Sequence, residues 1–195
     1  MNLIELTTPD AASLPVRELA DHLRMGTGFA DDGSQDDVLE AYLRAAISAI
    51  EGRTGKVLLE KSYSWDLTRW FEDGRQGLPV APATAITSVT LMTAAGETVV
   101  DTAAYWLQPD VYRSEIMGTP LPSIPAGGSA RIVFVAGFGP AWTDVPSDLR
   151  QAVLMLAASY YENRGDVTMG GLTMPFGVMA LIEKYRTVRL LGDRL

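Results

Sequence analysis

A strand, a glycine turn and a helix follow one another along residues 131–165, and this stretch limits the possible folds more than any other part of the chain. Residues 132–135 (IVFV) form an apolar run that is bounded by glycines and too short for a helix, which is typical of a buried strand. The helix that follows can be capped by Asp144 or Ser147, and Pro146 has a φ that suits the first turn. The pattern predicts a strand that leads directly into a long helix.

The interior of this helix is apolar on every side. Residues 152–158 (AVLMLAA) contain no polar side chain, whereas a helix at the surface of a protein keeps a polar stripe. Arg164 suits the negative end of the helix dipole, and Gly165 can adopt the left-handed conformation that ends many helices. We therefore predict that other elements surround this helix and that it lies at the centre of the core.

Length and composition limit the class of protein. A chain of 195 residues is long enough for one core, with or without a small appendage. It has no cysteine, which excludes disulfides, thiol catalysis and thiolate metal sites. No apolar run approaches the ~20 residues of a membrane span, and the N-terminus lacks the basic region of a signal peptide. We expect a protein that is neither embedded in a membrane nor exported.

The net charge of −8 is spread unevenly along the chain. Residues 1–51 contain ten acids and three arginines, whereas residues 177–195 contain four basic residues and two acids. Such an excess of acids disfavours binding to the phosphate backbone of DNA. The opposite charges of the two ends suit association between copies of the chain, and they equally suit a surface that is merely kept soluble by charge.

The remainder of the chain predicts further helices and a β-rich middle. After an extended arm, a short helix begins near Ser13 and Pro15, and a second helix spans about 35–53. From residue 57 the apolar period changes to two, which is typical of half-buried strands. The predicted strands cover residues 57–67, 86–92 and 98–100, with weaker candidates at 105–108 and 111–113. A glycine-rich linker and a last amphipathic helix, starting near Gly177, complete the pattern.

These elements predict an α+β fold, in which a small bundle of about four helices carries a β-rich insertion between the second and third main helices. We divide the chain into four segments that make one structural unit. They are an N-terminal arm with the first helices (1–55), the β-rich middle (56–140), the central helix (141–165), and a flexible joint with the C-terminal helix (166–195).

No pattern of residues indicates an active site or a cofactor site. His22 is the single histidine, so any catalytic triad would have to include it, and no nucleophile elbow or phosphate-binding loop occurs. The acids between Asp31 and Asp37 lack the alternating ligands of a calcium loop and suit the start of a helix. We expect no metal, no cofactor and no enzymatic activity.

Several short motifs follow one another in a definite order along the chain. The central stretch contributes Ala-Gly-aromatic-Gly at 136–139, Val-Pro at 145–146 and Tyr-Tyr-Glu-Asn-Arg at 160–164. The other motifs, in chain order, are Leu14-Pro15, the acidic loop 31–37, the helix end 49–55 (AIEGRTG), Trp65, Trp70, the segment 78–89, and Leu181 with Tyr185 and Arg186. Together they span about residues 14–190, and their order resembles the head–tail connector (adaptor) proteins of long-tailed phages, prophages and gene transfer agents.

The resemblance implies a structural role in the neck of a phage-like particle, for a protein made in the bacterial cytoplasm. Copies would form a ring, expected to be a dodecamer, that binds the portal protein, receives a stopper or tail protein, and continues the DNA channel without binding DNA specifically. For docking on the portal we expect the last helix to be used, because an amphipathic helix behind a glycine joint can become ordered on binding. The candidate docking residues are Leu181, Tyr185, Arg186, Arg189 and Leu191.

Two other classes of function are compatible with the residues. A small α+β hydrolase or ligand-binding domain would need a pocket with converging polar groups. A DNA-binding regulator would bind a duplex in a salt-dependent manner, and the net charge of −8 argues against it.

Overall fold

A computed structural model describes residues 2–25, 33–164 and 174–186. Within these ranges the chain divides into two compact units. The helical unit is formed by residues 9–54 and 139–186, and the β unit by residues 2–8 and 55–138, in each case without the residues outside the described ranges. The sequence-based division into four segments is a different description and stays a prediction.

The helical unit is built around the helix that the sequence places at the centre. Its four described helices are α1 (Val16–His22), α2 (Asp36–Thr54), α3 (Ser147–Glu162) and α4 (Phe176–Ile182). Short 3-10 turns lie at Ala11–Ser13, Trp142–Asp144 and Glu183–Tyr185. Helix α3 packs against α1, α2 and α4, which confirms its predicted central position. Its buried side chains are Leu149, Ala152, Val153, Leu154, Leu156, Ala157 and Ala158.

The β unit consists of two antiparallel sheets. The five-stranded sheet has the order β1-β2-β8-β4-β5, and the three-stranded sheet has the order β3-β7-β6. The strands are β1 (Asn2–Glu5), β2 (Lys61–Leu67), β3 (Arg75–Gly77), β4 (Ala83–Thr93), β5 (Gly96–Val99), β6 (Trp106–Gln108), β7 (Glu115–Met117) and β8 (Ser129–Ala136). A 3-10 turn lies at Thr102–Ala104.

Strands β2 and β8 show why one face of the five-stranded sheet is buried. Alternate residues of both strands are buried, as the period of two requires. Tyr63 lies opposite Phe134 with stacked rings 5.5 Å apart, and Trp65 lies opposite Ile132. These side chains form a hydrophobic core that belongs to the β unit itself.

The predicted fold class, a helical bundle with one β-rich insertion, is wrong. The eight described strands form two sheets with their own core, so the β unit is a folded body and not an insertion carried by the helices. Strand β1 also precedes the first helix, so the strands are not confined to the segment between the second and third helices. The reason is that residues 2–5 pair with β2, a long-range contact that local periodicity does not reveal.

The chain around residue 110 corrects a second prediction. Residues 111–113 do not form a strand, because one carboxylate oxygen of Asp110 accepts the backbone N–H groups of Tyr112 (2.6 Å) and Arg113 (2.7 Å). An aspartate that binds the backbone two and three residues ahead makes a turn. The strand begins after this turn, at Glu115.

The two glycines of the Ala-Gly-aromatic-Gly motif have separate structural reasons. Gly137 has a φ of 141°, and a Cβ there would lie 2.6 Å from the backbone N and Cα of Glu60. At Gly139 a Cβ would collide with the side chain of Asp144. That carboxylate accepts the N–H of Ala141 at 2.9 Å and so closes the 3-10 turn that precedes α3.

Candidate interaction surface

The C-terminal segment of the described chain, residues 174–186, packs on helix α3 within the helical unit. The apolar stripe of the sequence is the reason, since Val178, Ile182 and Tyr185 are all buried. Spacings of four and three residues place these three side chains on one face of the helix and the following 3-10 turn. The segment is therefore fixed by the protein's own core.

Asp148, in the first turn of α3, holds the end of this segment. The hydroxyl of Tyr185 donates to Oδ1 of Asp148 at 2.8 Å, and Nζ of Lys184 lies 2.6 Å from Oδ2. The backbone N–H of Leu149 donates to the same carboxylate at 3.0 Å. One carboxylate thus binds two neighbouring side chains of the C-terminal segment.

The charges of this cluster stabilise one another. Burial alone raises the pKa of Asp148, but the hydrogen bonds from Lys184 and Tyr185 outweigh it, so the pKa lies below its usual value. The same carboxylate raises the pKa of Lys184. Burial, and then the hydrogen bond to Asp148, raise the pKa of Tyr185. At neutral pH the cluster contains an ionised aspartate, a protonated lysine and a neutral tyrosine.

The candidate docking residues fall into three groups. Tyr185 is buried and Leu181 is partly buried, so these two side chains serve the fold of the helical unit. Arg186 is exposed, and its Nη1 donates to both carboxylate oxygens of Glu183, at 2.9 and 3.0 Å. Arg189 and Leu191 lie outside the described residues.

The opposite face of the same segment is accessible. Phe176 is 82% exposed, and Ala180, Glu183 and Lys184 are exposed along the same side. The sequence-based candidates do not include Phe176, because periodicity distinguishes the apolar face from the polar face and gives no weight to a single aromatic residue next to a proline.

The single histidine and the acidic residues at the start of α2 have structural positions in the described parts of the chain. His22 is exposed at the end of α1, and Asp36 and Asp37 lie in the first turn of α2, where acids favour the helix dipole. No three histidine, aspartate or glutamate side chains among the described residues are grouped so that they could hold a metal ion.

The helical unit has an open recess among its described residues that combines polar and apolar lining. It is lined by residues 12–15, Asp10, Glu18 and residues 140–143. Glu18 already accepts a hydrogen bond from the indole Nε1 of Trp142 at 3.1 Å.

Over the ranges that the structure covers, no helix has the length and apolar character that crossing a bilayer requires.

The sequence was compared with families of known proteins. The family of phage gp6-like head-tail connector proteins matches residues 129–186, which include strand β8 and helices α3 and α4. This match confirms the resemblance that the motifs indicate. No curated protein matches the sequence.

Solved structures extend the similarity to nearly the whole chain. A chain in the neck of an empty GTA particle, computed with C6 symmetry, is 52% identical, with a TM-score of 0.88. A chain in the virion of a native gene transfer agent (GTA) particle is 51% identical (TM-score 0.86), and one in the neck of a native GTA particle, computed with C12 symmetry, is 47% identical (TM-score 0.84). Each alignment covers 98% of both chains. The chain therefore belongs to the family of phage gp6-like head-tail connector proteins.

Proposed function

We propose that this protein is the head–tail connector in the neck of a gene transfer agent particle. The observation that supports this most is the similarity to chains of such particles, at 47–52% identity over 98% of each chain. Both units of the protein are included in this similarity, so the proposal applies to the whole chain and not to the helical segment alone.

In this proposal, copies of the chain form a ring, expected to be a dodecamer. The relatives in necks computed with C6 and C12 symmetry support a cyclic arrangement. A ring requires a heterologous interface, in which one side of a subunit binds the different, opposite side of its neighbour. We expect the ring to bind the portal on one side and a stopper or tail protein on the other.

We propose that the C-terminal end of the chain docks on the portal. The described segment already has a fixed position on α3, so its exposed residues, Phe176 and Arg186, are presented at a defined place. Tyr185 and Leu181 contribute by holding the segment there. Arg189 and Leu191 follow directly in sequence and complete the proposed docking set.

The charge of the protein suits a channel through which DNA moves. The net charge is −8, and an acidic wall offers no cations to exchange for the counterions of the phosphate backbone. DNA would therefore pass through the ring without specific binding. The role is mechanical, and we expect no enzymatic activity.

The test uses cells that produce the particles and lack the gene for this protein. We expect heads without attached tails, and restoration of complete particles by the full chain. A chain that ends at Arg186 removes Arg189 and Leu191 but keeps α4 and the Asp148 cluster. It should fold with an unchanged melting temperature and fail to restore tails.

Electron microscopy of purified particles distinguishes the outcomes. Complete tailed particles in cells without the protein would contradict the proposed function. Tailed particles restored by the shortened chain would contradict only the docking role of Arg189 and Leu191.

A further inference from the structure

Among the described residues, the five-stranded sheet of the β unit has two open edges. Strand β1 (Asn2–Glu5) forms one edge and strand β5 (Gly96–Val99) the other. Each strand has four residues, and all eight are exposed. Neither strand contains proline or lysine, which proteins often place on edge strands to prevent pairing with another chain, and each strand contains one glutamate.

The hydrogen bonds of β1 show which backbone groups point outward. The N–H of Leu6 donates to the C=O of Ser62 at 2.8 Å. In an antiparallel ladder, residues that bond to the partner strand alternate with residues that point away from it. Ile4 therefore bonds toward β2, whereas the N–H and C=O groups of Leu3 and Glu5 point away from the sheet.

The same reasoning applies to β5 at the opposite edge. The N–H of Val100 donates to the C=O of Val89 at 2.8 Å. By the same alternation, Thr98 bonds toward β4, and the N–H and C=O groups of Glu97 and Val99 point outward. Each edge thus offers two backbone donors and two acceptors over the same length of strand.

The strand directions select how two copies would pair. Every neighbouring pair in this sheet is antiparallel, so β1 and β5, four positions apart, run in the same direction. Copies that are related by rotation within a ring would place β5 of one beside β1 of the next in parallel. Copies that are related by a two-fold axis would instead pair like edges, antiparallel.

The side chains of the two edges are compatible. Leu3 and Glu5 lie opposite Trp65 and Tyr63, on the core face, so Ile4 lies on the other face. Val99 lies on that other face as well, since it is opposite Thr90, next to the buried Val89. Ile4 and Val99 are 48% and 72% exposed, so pairing would bring two exposed apolar side chains together.

The acids of the two edges do not oppose this pairing. Glu5 lies on the core face, and its carboxylate is 3.2 Å from Nζ of Lys61. Glu97 lies on the opposite face of the sheet, where it interacts electrostatically with Arg131. The two carboxylates would therefore be separated by the sheet.

We propose that β5 of one copy pairs in parallel with β1 of the next copy, so that the five-stranded sheets join around the ring. This inference rests on the proposed function, which supplies the ring. It identifies the two different surfaces that a heterologous interface requires.

The test exploits the absence of cysteine from the chain. Particles are prepared with the double variant Ile4→Cys, Val99→Cys, treated with a thiol oxidant or a short bismaleimide, and separated on a denaturing gel. The two positions within one chain lie at opposite edges, about 19 Å apart across five strands, so a direct link must join two copies. We expect a ladder of covalent oligomers from the double variant and none from either single variant.

Each outcome of this experiment has a separate meaning. Dimers from a single variant would show that like edges pair, and they would overturn the proposal. Particles that contain the double variant but give no ladder would also overturn it and leave the proposed function intact. If the unsubstituted protein, which has no cysteine, never enters particles, the proposed function itself is contradicted.

A proline variant provides a second, independent test. Val99→Pro removes an outward N–H that the ladder between β4 and β5 does not use, and edge strands tolerate proline. We expect a melting temperature within a few degrees of the parent protein and loss of the variant from particles. Normal incorporation of this variant would overturn the proposal.

Discussion

At the scale of single residues, glycines have opposite effects in this chain according to what surrounds them. Gly137 lies where the backbone of Glu60 leaves no room for a side chain. Gly52 lies within α2, and apart from its own helix backbone no described residue has a heavy atom within 4 Å of the place where a Cβ would lie. The same substitution to alanine should therefore change stability in opposite directions at the two positions.

We predict that Gly137→Ala lowers the free energy of unfolding by about 2 kcal/mol or more, because a Cβ would meet the backbone at 2.6 Å and φ is 141°. Denaturant unfolding measures this loss. Gly127→Ala is the control, since Gly127 also has a positive φ (73°) but no close neighbour. It should lose only about 1 kcal/mol, and equal losses at the two positions would contradict the steric explanation.

We predict that Gly52→Ala raises the free energy of unfolding by about 0.5–1 kcal/mol. Alanine loses less backbone entropy than glycine in a helix, and the site has space for the methyl group. Thermal melting of the purified protein measures the change. A destabilised variant would contradict the prediction, because it would show that the surface of α2 does not accommodate a methyl group at position 52.

At the scale of elements, the C-terminal segment depends on one carboxylate of α3. Tyr185 and Lys184 both bind Asp148, and Val178 and Ile182 are buried beneath them. An amphipathic helix that would be only marginal in water is thus stabilised by packing and by a charged cluster at its end. This arrangement gives a pH dependence that can be measured.

We predict that Asp148→Asn destabilises the protein by about 1 kcal/mol at neutral pH, through loss of charged hydrogen bonds. The pKa of Asp148 is lowered in the folded protein, so its contribution is complete above the unfolded value, about 3.9, and is lost as the pH falls through the folded value. The stability difference between the parent and the variant should therefore shrink below about pH 4.

Melting curves of both proteins across this pH range provide the measurement. Glu183→Gln serves as the control, because its pair with Arg186 is exposed and contributes little. A difference between the parent and Asp148→Asn that stays constant down to low pH would contradict the role of the ionised carboxylate.

At the scale of the whole molecule, the net charge bears on the proposed passage of DNA. We predict that the purified protein does not shift a labelled DNA duplex on a gel, even at low ionic strength, because its net charge is −8. A salt-dependent shift would contradict the proposal that DNA passes the ring without binding. A basic DNA-binding protein of similar size, run under the same conditions, is the positive control.

The sequence by itself determined the local elements and the family. The apolar interior of α3 and the alternation in β2 and β8 follow from chemistry within a few residues, because a period of 3.6 or 2 reflects which side faces the core. The order of motifs from Leu14 to Arg186 indicated the connector family, and some of these motifs meet a local structural requirement, such as Gly139 beside Asp144.

Tertiary structure alone decided which elements form a unit together. The N-terminal residues pair with β2 some 60 positions later, and Tyr185 is used by Asp148, not left free for a partner. Such contacts depend on the global arrangement of the chain, and no period in the sequence encodes them. For that reason the sequence predicted the helices and most strands, but not the separate β core, its two open edges or the anchored C-terminal segment.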